Sequence, residues 1–534
     1  MENPLFLYNH KYSFQRFYVA VYYIIIINYV LLAMFHSLVN PGITRLAEIH
    51  YSQYSIIFFA IVSTPLVCLI FLLTLVPIIL SISRLKYFTW DTFNKLDRLI
   101  LYFIVLLITW ILVASPTNFY FGHHRTVDRI LLILIAIGVF YRPSFIPIYC
   151  LYSFTLFNEL SYPLGDFYLS EKGALLNILI LSISFFITKT IIKEIRSELF
   201  IFLAAIIHIQ NYFWSGVEKL KTGGKEIFSW IFENETSLLI VKSRLDGFLH
   251  QIDLDYFISA TSFMHSLNVP LNFIVIFLEL SICLVFYHKK FLSIYLISCS
   301  LLNLGIFLQT GIFFYEWLLL GILFSFIVLK REWGAISFAK TIGPLAFILI
   351  LFGSTWHYPH KLGWVDYPIL NMIEIYAQNK NGEIIIIDEN SFDPYDRSFN
   401  YDENYLFFAK NKIISRYYFI YFFDMRYFFE VVHSPEEFVK FQNHMGHYFY
   451  DQKKIKKFDR FVKKYFASKR IKKSALLKWD VFRLPFHLYH TKESPLKENF
   501  EDIESVIVVY KQYLILKNKP ILIIDKEVHR VKVQ

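Results

Sequence analysis

The chain has 534 residues and a net charge of +10; 56% of the residues are hydrophobic and only 18% charged, too few charges to cover a water-soluble fold of this size. That balance excludes a soluble enzyme and points to a polytopic membrane protein. The four cysteines, Cys68, Cys150, Cys283 and Cys299, all lie in apolar segments, which excludes a disulfide framework or a cysteine metal site in the polar regions.

From the polar start Met1-Glu-Asn-Pro4 the chain reaches its first apolar run at Phe17–Val39. The run is too long for a signal-peptide core and has no small-residue cleavage site, so it reads as a retained span. Runs long enough to cross about 30 Å of hydrocarbon follow at Ile56–Ile82, Leu99–Ala114, Leu271–Tyr287, Phe291–Leu308 and Ile312–Leu329. Shorter or interrupted runs lie at Val127–Tyr141, Phe145–Phe157, Ala174–Ile187, Leu199–Phe213 and Ile342–Phe352. The Tyr141-Arg-Pro143 break is either a turn between two short spans or a kink within one helix. The expected architecture is a polytopic α-helical membrane bundle of about nine to eleven spans over residues 1–355, followed by a small extramembrane α+β domain over residues 356–534.

Short basic loops stay in the cytoplasm, so lysine and arginine placement orients the bundle. With a cytoplasmic N-terminus carrying Lys11 and Arg16, the inner connections hold Arg84, Lys86, Lys95 and Arg98, then Arg142, then Lys189, Lys193 and Arg196, then Lys289 and Lys290, then Lys330, Arg331 and Lys340. The long connection 214–269 is rich in acids, among them Glu218, Glu233, Glu235 and Asp253, and is expected outside. The tail is expected on the same extracytoplasmic face. Scarce glycine with abundant isoleucine, lysine and phenylalanine suggests an AT-rich bacterial genome, and hence a bacterial inner membrane.

In the tail, Asn371 to Asp388 reads as a hairpin about Asn381-Gly382, and Ser505 to Asp525 as another about Lys517-Asn-Lys-Pro520. Ser434-Pro-Glu-Glu437 has the form of a helix start, with proline at the first position and acids at the positive end of the dipole. The basic stretch Lys453–Lys478, interleaved with Phe458, Tyr465 and Phe466, fits a solvated amphipathic helix better than a grip on nucleic acid, which is not expected as a partner on the outer face. Membrane lipid is.

No glycine-rich phosphate loop follows a strand, and neither H-E-x-x-H nor G-x-S-x-G occurs. His357 and His360, with Asp366 beyond, have a spacing that metal ligands use, but histidines beside Trp356 and Tyr358 at headgroup level read as packing. His123-His124 is a weaker case, and no metal is expected. Polar residues within the apolar runs carry more weight, because a charge in lipid costs about 2.5–3.5 kcal/mol on insertion scales and marks a pathway or pocket. They are His208, Gln210, Glu279, Asn303, Gln309 and Glu316. Lys219, just past the run Leu199–Phe213, sits where lipid meets water, as a snorkelling anchor or as a desolvated amine that works as a base.

The stretch Tyr212-Phe-Trp-Ser-Gly216-Val-Glu-Lys219-Leu220 resembles the Tyr-x-x-(small)-Gly-x-x-Lys-Leu motif of the vitamin K-dependent gamma-carboxylases and their bacterial relatives, the HTTM-domain membrane proteins. Val269 to Leu280, with Glu279 inside it, is similar to a span of that family that carries an acid. Ser300 to Trp317 resembles the next pattern, a polar residue followed by glycine and an aromatic end, with Asn303 where relatives often have histidine. Phe157 to Tyr168 echoes the loop before a span, so the resemblance extends over about the first 330 residues.

The resemblance implies a lysine base, here Lys219, that deprotonates a reduced naphthoquinone of the vitamin K type. The anion reacts with oxygen to give a base strong enough to take a carbon-bound proton from a glutamate side chain, to which carbon dioxide adds. It further implies a quinol pocket around Tyr212, Phe213, Gly216, His208, Glu279 and Asn303, with Gly216 letting backbone approach a flat ring, and a secreted protein or peptide as substrate. Three readings stay open: a carboxylase-like or other quinol-linked enzyme, a non-catalytic helper in maturation or export of a secreted partner, and a transporter using Glu279 and His208 as relay groups.

Overall fold

The computed structural model describes residues 4–39, 55–82, 88–114, 125–160, 169–222, 227–245, 247–248, 252–333, 342–357, 359, 361, 363–387, 405–421, 425–470 and 500–533. His123-His124, Tyr358, His360, Arg84, Lys86, Lys340, residues 161–168 and the basic run beyond Arg470 lie outside them.

Helix α1 (Pro4–His36) buries Ile24, Leu32 and Phe35 while Tyr22, Tyr29 and Val30 face outward, so it is apolar on both faces. Helices α2 (Ile56–Ser63) and α3 (Pro65–Ile82) were expected as one span but meet at 107°. Pro65 has no N–H to continue the helix, and it forces the preceding Thr64 into an extended conformation. Helix α4 (Lys95–Ala114) is followed by α5 (Thr126–Tyr141) and α6 (Ile146–Leu160), which are separate helices because Arg142 is extended and Pro143 opens a 3-10 turn. The break at Tyr141-Arg-Pro143 is therefore a turn. Helix α7 (Leu169–Ile191) leads to α8 (Glu198–Lys221), whose residues Leu199 to Phe213 are all buried.

The connection after α8 is itself helical, with α9 (Ser229–Glu233), α10 (Thr236–Leu245) and α11 (Leu254–Ser266). A 61° bend at Leu267 leads into α12 (Asn268–Leu280), and Ser281 separates that helix from the short α13 (Ile282–Val285). The apolar run Leu271–Tyr287 is thus divided. Helix α14 (Lys289–Thr310) ends at Gly311, whose φ of +73° supplies the left-handed cap, and α15 (Tyr315–Lys330) returns alongside it. Helices α16 (Gly343–Leu351) and α17 (Gly353–Trp356) lead to the tail.

Among the described residues, five helices are long and apolar enough to cross a membrane, namely α1, α4, α7, α8 and α14, and the count is seven if α2–α3 and α11–α12 each form one bent span. Helices α5, α6 and α15, at 16, 15 and 16 residues, fall below the length of a full crossing.

The tail is built on an antiparallel sheet in the order β2-β1-β5-β6, from β1 (Ile369–Asn379), β2 (Ile384–Ile386), β5 (Ile503–Leu516) and β6 (Lys519–Lys532). Both hairpins turn where the sequence places them: Gly382 has φ +83°, and Lys517 and Asn518 both have positive φ, as a two-residue turn demands. A two-stranded ribbon pairs β3 (Lys412–Ile413) with β4 (His447–Tyr448). Helices α18 (Arg416–Tyr421), α19 (Met425–Val431) and α20 (Pro435–Met445) lie between its strands in the chain, α20 packs against β3, and Ser434 caps α20 by accepting from Glu437 N. Helix α21 (Gln452–Arg470) lays Phe458, Phe461, Val462 and Phe466 against the sheet and turns its lysines outward. A further apolar core joins Trp230, Leu238 and Val241 of the loop helices to Val365, Ile369, Phe419 and Leu514 of the tail. Loop and tail therefore pack as one body.

Candidate functional site

Helix α8 is apolar until its last turns, which bring Tyr212, Ser215 and Lys219 into the protein interior. Lys219 Nζ donates to Glu279 Oε1 on α12, and both residues are buried, at 8% and 4% exposure. Removing either partner of such a pair leaves an uncompensated buried charge, at a cost of about 3–5 kcal/mol. Gly216 makes the contact sterically feasible. A Cβ at that position would lie 2.9 Å from Glu279 Cβ, so only glycine lets α12 approach this closely. Trp230 on α9 covers the pair, with Lys219 Nζ 5.6 Å from its ring centre.

Further along the same face, Asn303 Nδ2 on α14 donates to the Tyr212 hydroxyl at 2.8 Å. Trp317 on α15 packs edge-on against the Tyr212 ring, with centroids 5.4 Å apart. These groups line a cavity of about 780 Å³, a size common for sites that hold small molecules. Leu271, Ile274 and Leu278 of α12 face Leu301 and Ile306 of α14 across its apolar part. Ile274 and Leu301, which line it, are 50% and 60% exposed, so the apolar wall of the cavity reaches the protein surface at α12 and α14.

The opposite wall is polar and comes from the loop and the tail. Trp230 Nε1 donates to Trp364 O at 2.6 Å, and Trp364 Nε1 donates to Asp366 Oδ1 at 2.6 Å. Asn234 receives the Asp366 N–H at 2.7 Å and donates to its Oδ2 at 3.2 Å, while Asn272 Nδ2 donates to Asn234 O at 2.7 Å. Burial pushes the Asp366 carboxyl above the ordinary carboxylate range, opposed by the Trp364 hydrogen bond, the charge of Lys242 and the Asn234 hydrogen bond. This network fixes Trp230 over Lys219.

Of the residues singled out in the sequence, Lys219, Tyr212, Glu279, Asn303, Gln309 and Asp366 line the cavity, and Phe213, Gly216, His208, Gln210, Glu316 and His357 do not. Phe213 belongs to the bundle core and packs edge-on against Trp214. Gly216 serves the approach of Glu279 instead of a ring. His208 lies behind Tyr212, fully buried and stacked on Phe324 at 5.7 Å. Among the described residues, no three His, Cys, Asp or Glu side chains are grouped to hold a metal ion. Sequence reasoning missed Asn234, Asn272 and Trp364 of the polar wall and noticed Asp366 only for its spacing from two histidines. Asn272 gave the same signal as Glu279, a polar residue inside an apolar run, whereas Asn234 and Trp364 stand in polar segments where nothing sets them apart.

Comparison with protein-family models, with curated proteins and with solved structures gives no match.

Proposed function

We propose that the chain is an integral membrane enzyme that binds a lipid-dissolved quinol and takes a proton from it at Lys219, as its resemblance to the vitamin K-dependent gamma-carboxylases implies. The observation that carries the reading is a buried Lys219–Glu279 pair on the wall of a cavity whose apolar side reaches the protein surface. In this reading the short apolar helices complete a bundle of about nine to eleven spans, and the basic connections put loop, tail and cavity on the extracytoplasmic side of a bacterial inner membrane.

A reduced naphthoquinone fits the donor set: Trp230, Trp317 and Tyr212 offer ring surfaces, and Lys219, Glu279 and the Tyr212 hydroxyl offer polar contacts. When bound, such a group supplies an acidic ring hydroxyl and, with oxygen, the oxidising power behind a strong base. The chain's own part is to move one proton. Lys219 Nζ passes a proton along its hydrogen bond to Glu279 Oε1 and takes the hydroxyl proton in exchange. Lys219 would then carry the positive charge beside the cavity while Glu279 is neutral, so the amine would be free to hold a bound anion. Burial of the pair beside Trp230 lowers the local dielectric, which strengthens its electrostatic attraction.

Purified protein in liposomes is expected to consume reduced naphthoquinone. Lys219→Ala should lower the rate by about 10²–10⁴-fold with expression intact. Wild-type turnover in both Lys219→Ala and Lys219→Arg would remove the base from the account. The tight packing of Gly216 on Glu279 favours a second reading, in which the pair is a structural lock of a non-catalytic helper. That reading expects no quinol turnover in the wild-type protein.

A further inference from the structure

We infer that Tyr212, set in place by Asn303, donates a hydrogen bond to the second oxygen of a ring whose first oxygen meets Lys219, so that the site selects rings bearing oxygens at opposite ends. The inference rests on the quinol reading and adds a specificity-determining residue to it. Tyr212 and Lys219 are seven residues apart on α8, about two turns and 10 Å of rise, which returns both side chains to one helix face. Both line the same cavity.

Asn303 Nδ2 occupies a lone pair of the Tyr212 hydroxyl, and among the described residues the phenol donates to no acceptor. His208 packs across the Tyr212 ring at 82°, and its nitrogens form no hydrogen bond among the described residues. A buried hydroxyl with an unused proton is unfavourable until an acceptor arrives. An oxygen on a ring lying along α8 is such an acceptor. Asn303 acts through Tyr212 and is a positioning residue.

The test uses the full chain in nanodiscs and reads quenching of tryptophan fluorescence, because Trp230 and Trp317 line the cavity. The probes are 2-methyl-1,4-naphthoquinone, which has two opposed oxygens, and 1-tetralone, which has one. Wild type should bind the quinone about tenfold tighter than the tetralone, the worth of one good hydrogen bond. Tyr212→Phe keeps the ring and should erase that preference by weakening quinone binding alone. Asn303→Ala should shrink the preference about threefold, and Asn303→His, which again offers a donor, should restore it. Quinone binding unchanged in Tyr212→Phe overturns the Tyr212 assignment and leaves the quinol reading standing, as does equal loss of both probes. Wild-type protein that binds neither probe overturns both.

Discussion

At the scale of single residues, Gly216 and Glu279 define the site as much as Lys219 does. An amine at a helix end reaches water readily, and here it does not, because α12 comes close enough at Gly216 for a carboxylate to meet it inside the protein. Gly216→Ala should therefore act through overpacking: a Cβ 2.9 Å from Glu279 Cβ forces α8 and α12 apart. We expect a loss of about 1–3 kcal/mol, read as a lower melting temperature in detergent, together with weaker quinone binding. A Gly216→Ala protein as stable as wild type would mean that the two helices do not pack as described. The polar residues Lys219 and Glu279 were both legible in the sequence, since each stands in or beside an apolar run. Their pairing was not, because 60 residues separate them and no local pattern encodes a contact of that range.

At the scale of elements, loop and tail form the polar wall, and Asp366 is its central acceptor. It takes hydrogen bonds from Trp364 and Asn234, and Lys242 and Glu235 face it from α10 and the turn before it. Burial raises its carboxyl in the folded chain above the unfolded value of about 4. The folded state then holds this proton more tightly than the unfolded chain does. The resulting stability is complete below about pH 4 and falls as pH rises toward the raised folded value, above which it is flat. Asp366→Asn cannot ionise, so the melting temperature of wild type relative to Asp366→Asn should decline with rising pH across that window. A constant difference would show that Asp366 does not change its proton on unfolding. The wall was only partly legible. Asp366 drew notice for its spacing from His357 and His360, whereas its partners are an asparagine and a tryptophan.

The helix breaks follow the same logic. Pro65 is plain in the sequence, yet the run Ile56–Ile82 is apolar enough to read as one span, and only backbone chemistry divides it. The bend at Leu267 has a similar marker in Pro270, whose missing N–H and ring disturb the helical ladder one turn back. The tail hairpins were readable because Asn381-Gly382 and Lys517-Asn518 carry the turn geometry in two residues each.

At the scale of the whole molecule, α8 is held by a buried ion pair near each end. Lys219–Glu279 lies near its C-terminus, and beside its N-terminus Arg331 pairs with Asp97 and donates to Ser197 Oγ at 3.2 Å. Arg331 reads in the sequence as one more basic residue of an inner connection, but it is 4% exposed and joins α4 to the end of α15. A helix pinned in this way presents a fixed face to a cavity whose other walls come from α12, α14 and the tail. The account stands on that cavity receiving a ring-bearing molecule from the bilayer. Photolabelling with a diazirine-bearing naphthoquinone in liposomes, followed by peptide mapping, tests this most directly. The expected label falls on the cavity-facing stretches of α8, α12 and α14, and unlabelled naphthoquinone displaces it. Label spread over the exposed faces of α1 and α3, with no displacement by competitor, would contradict the account.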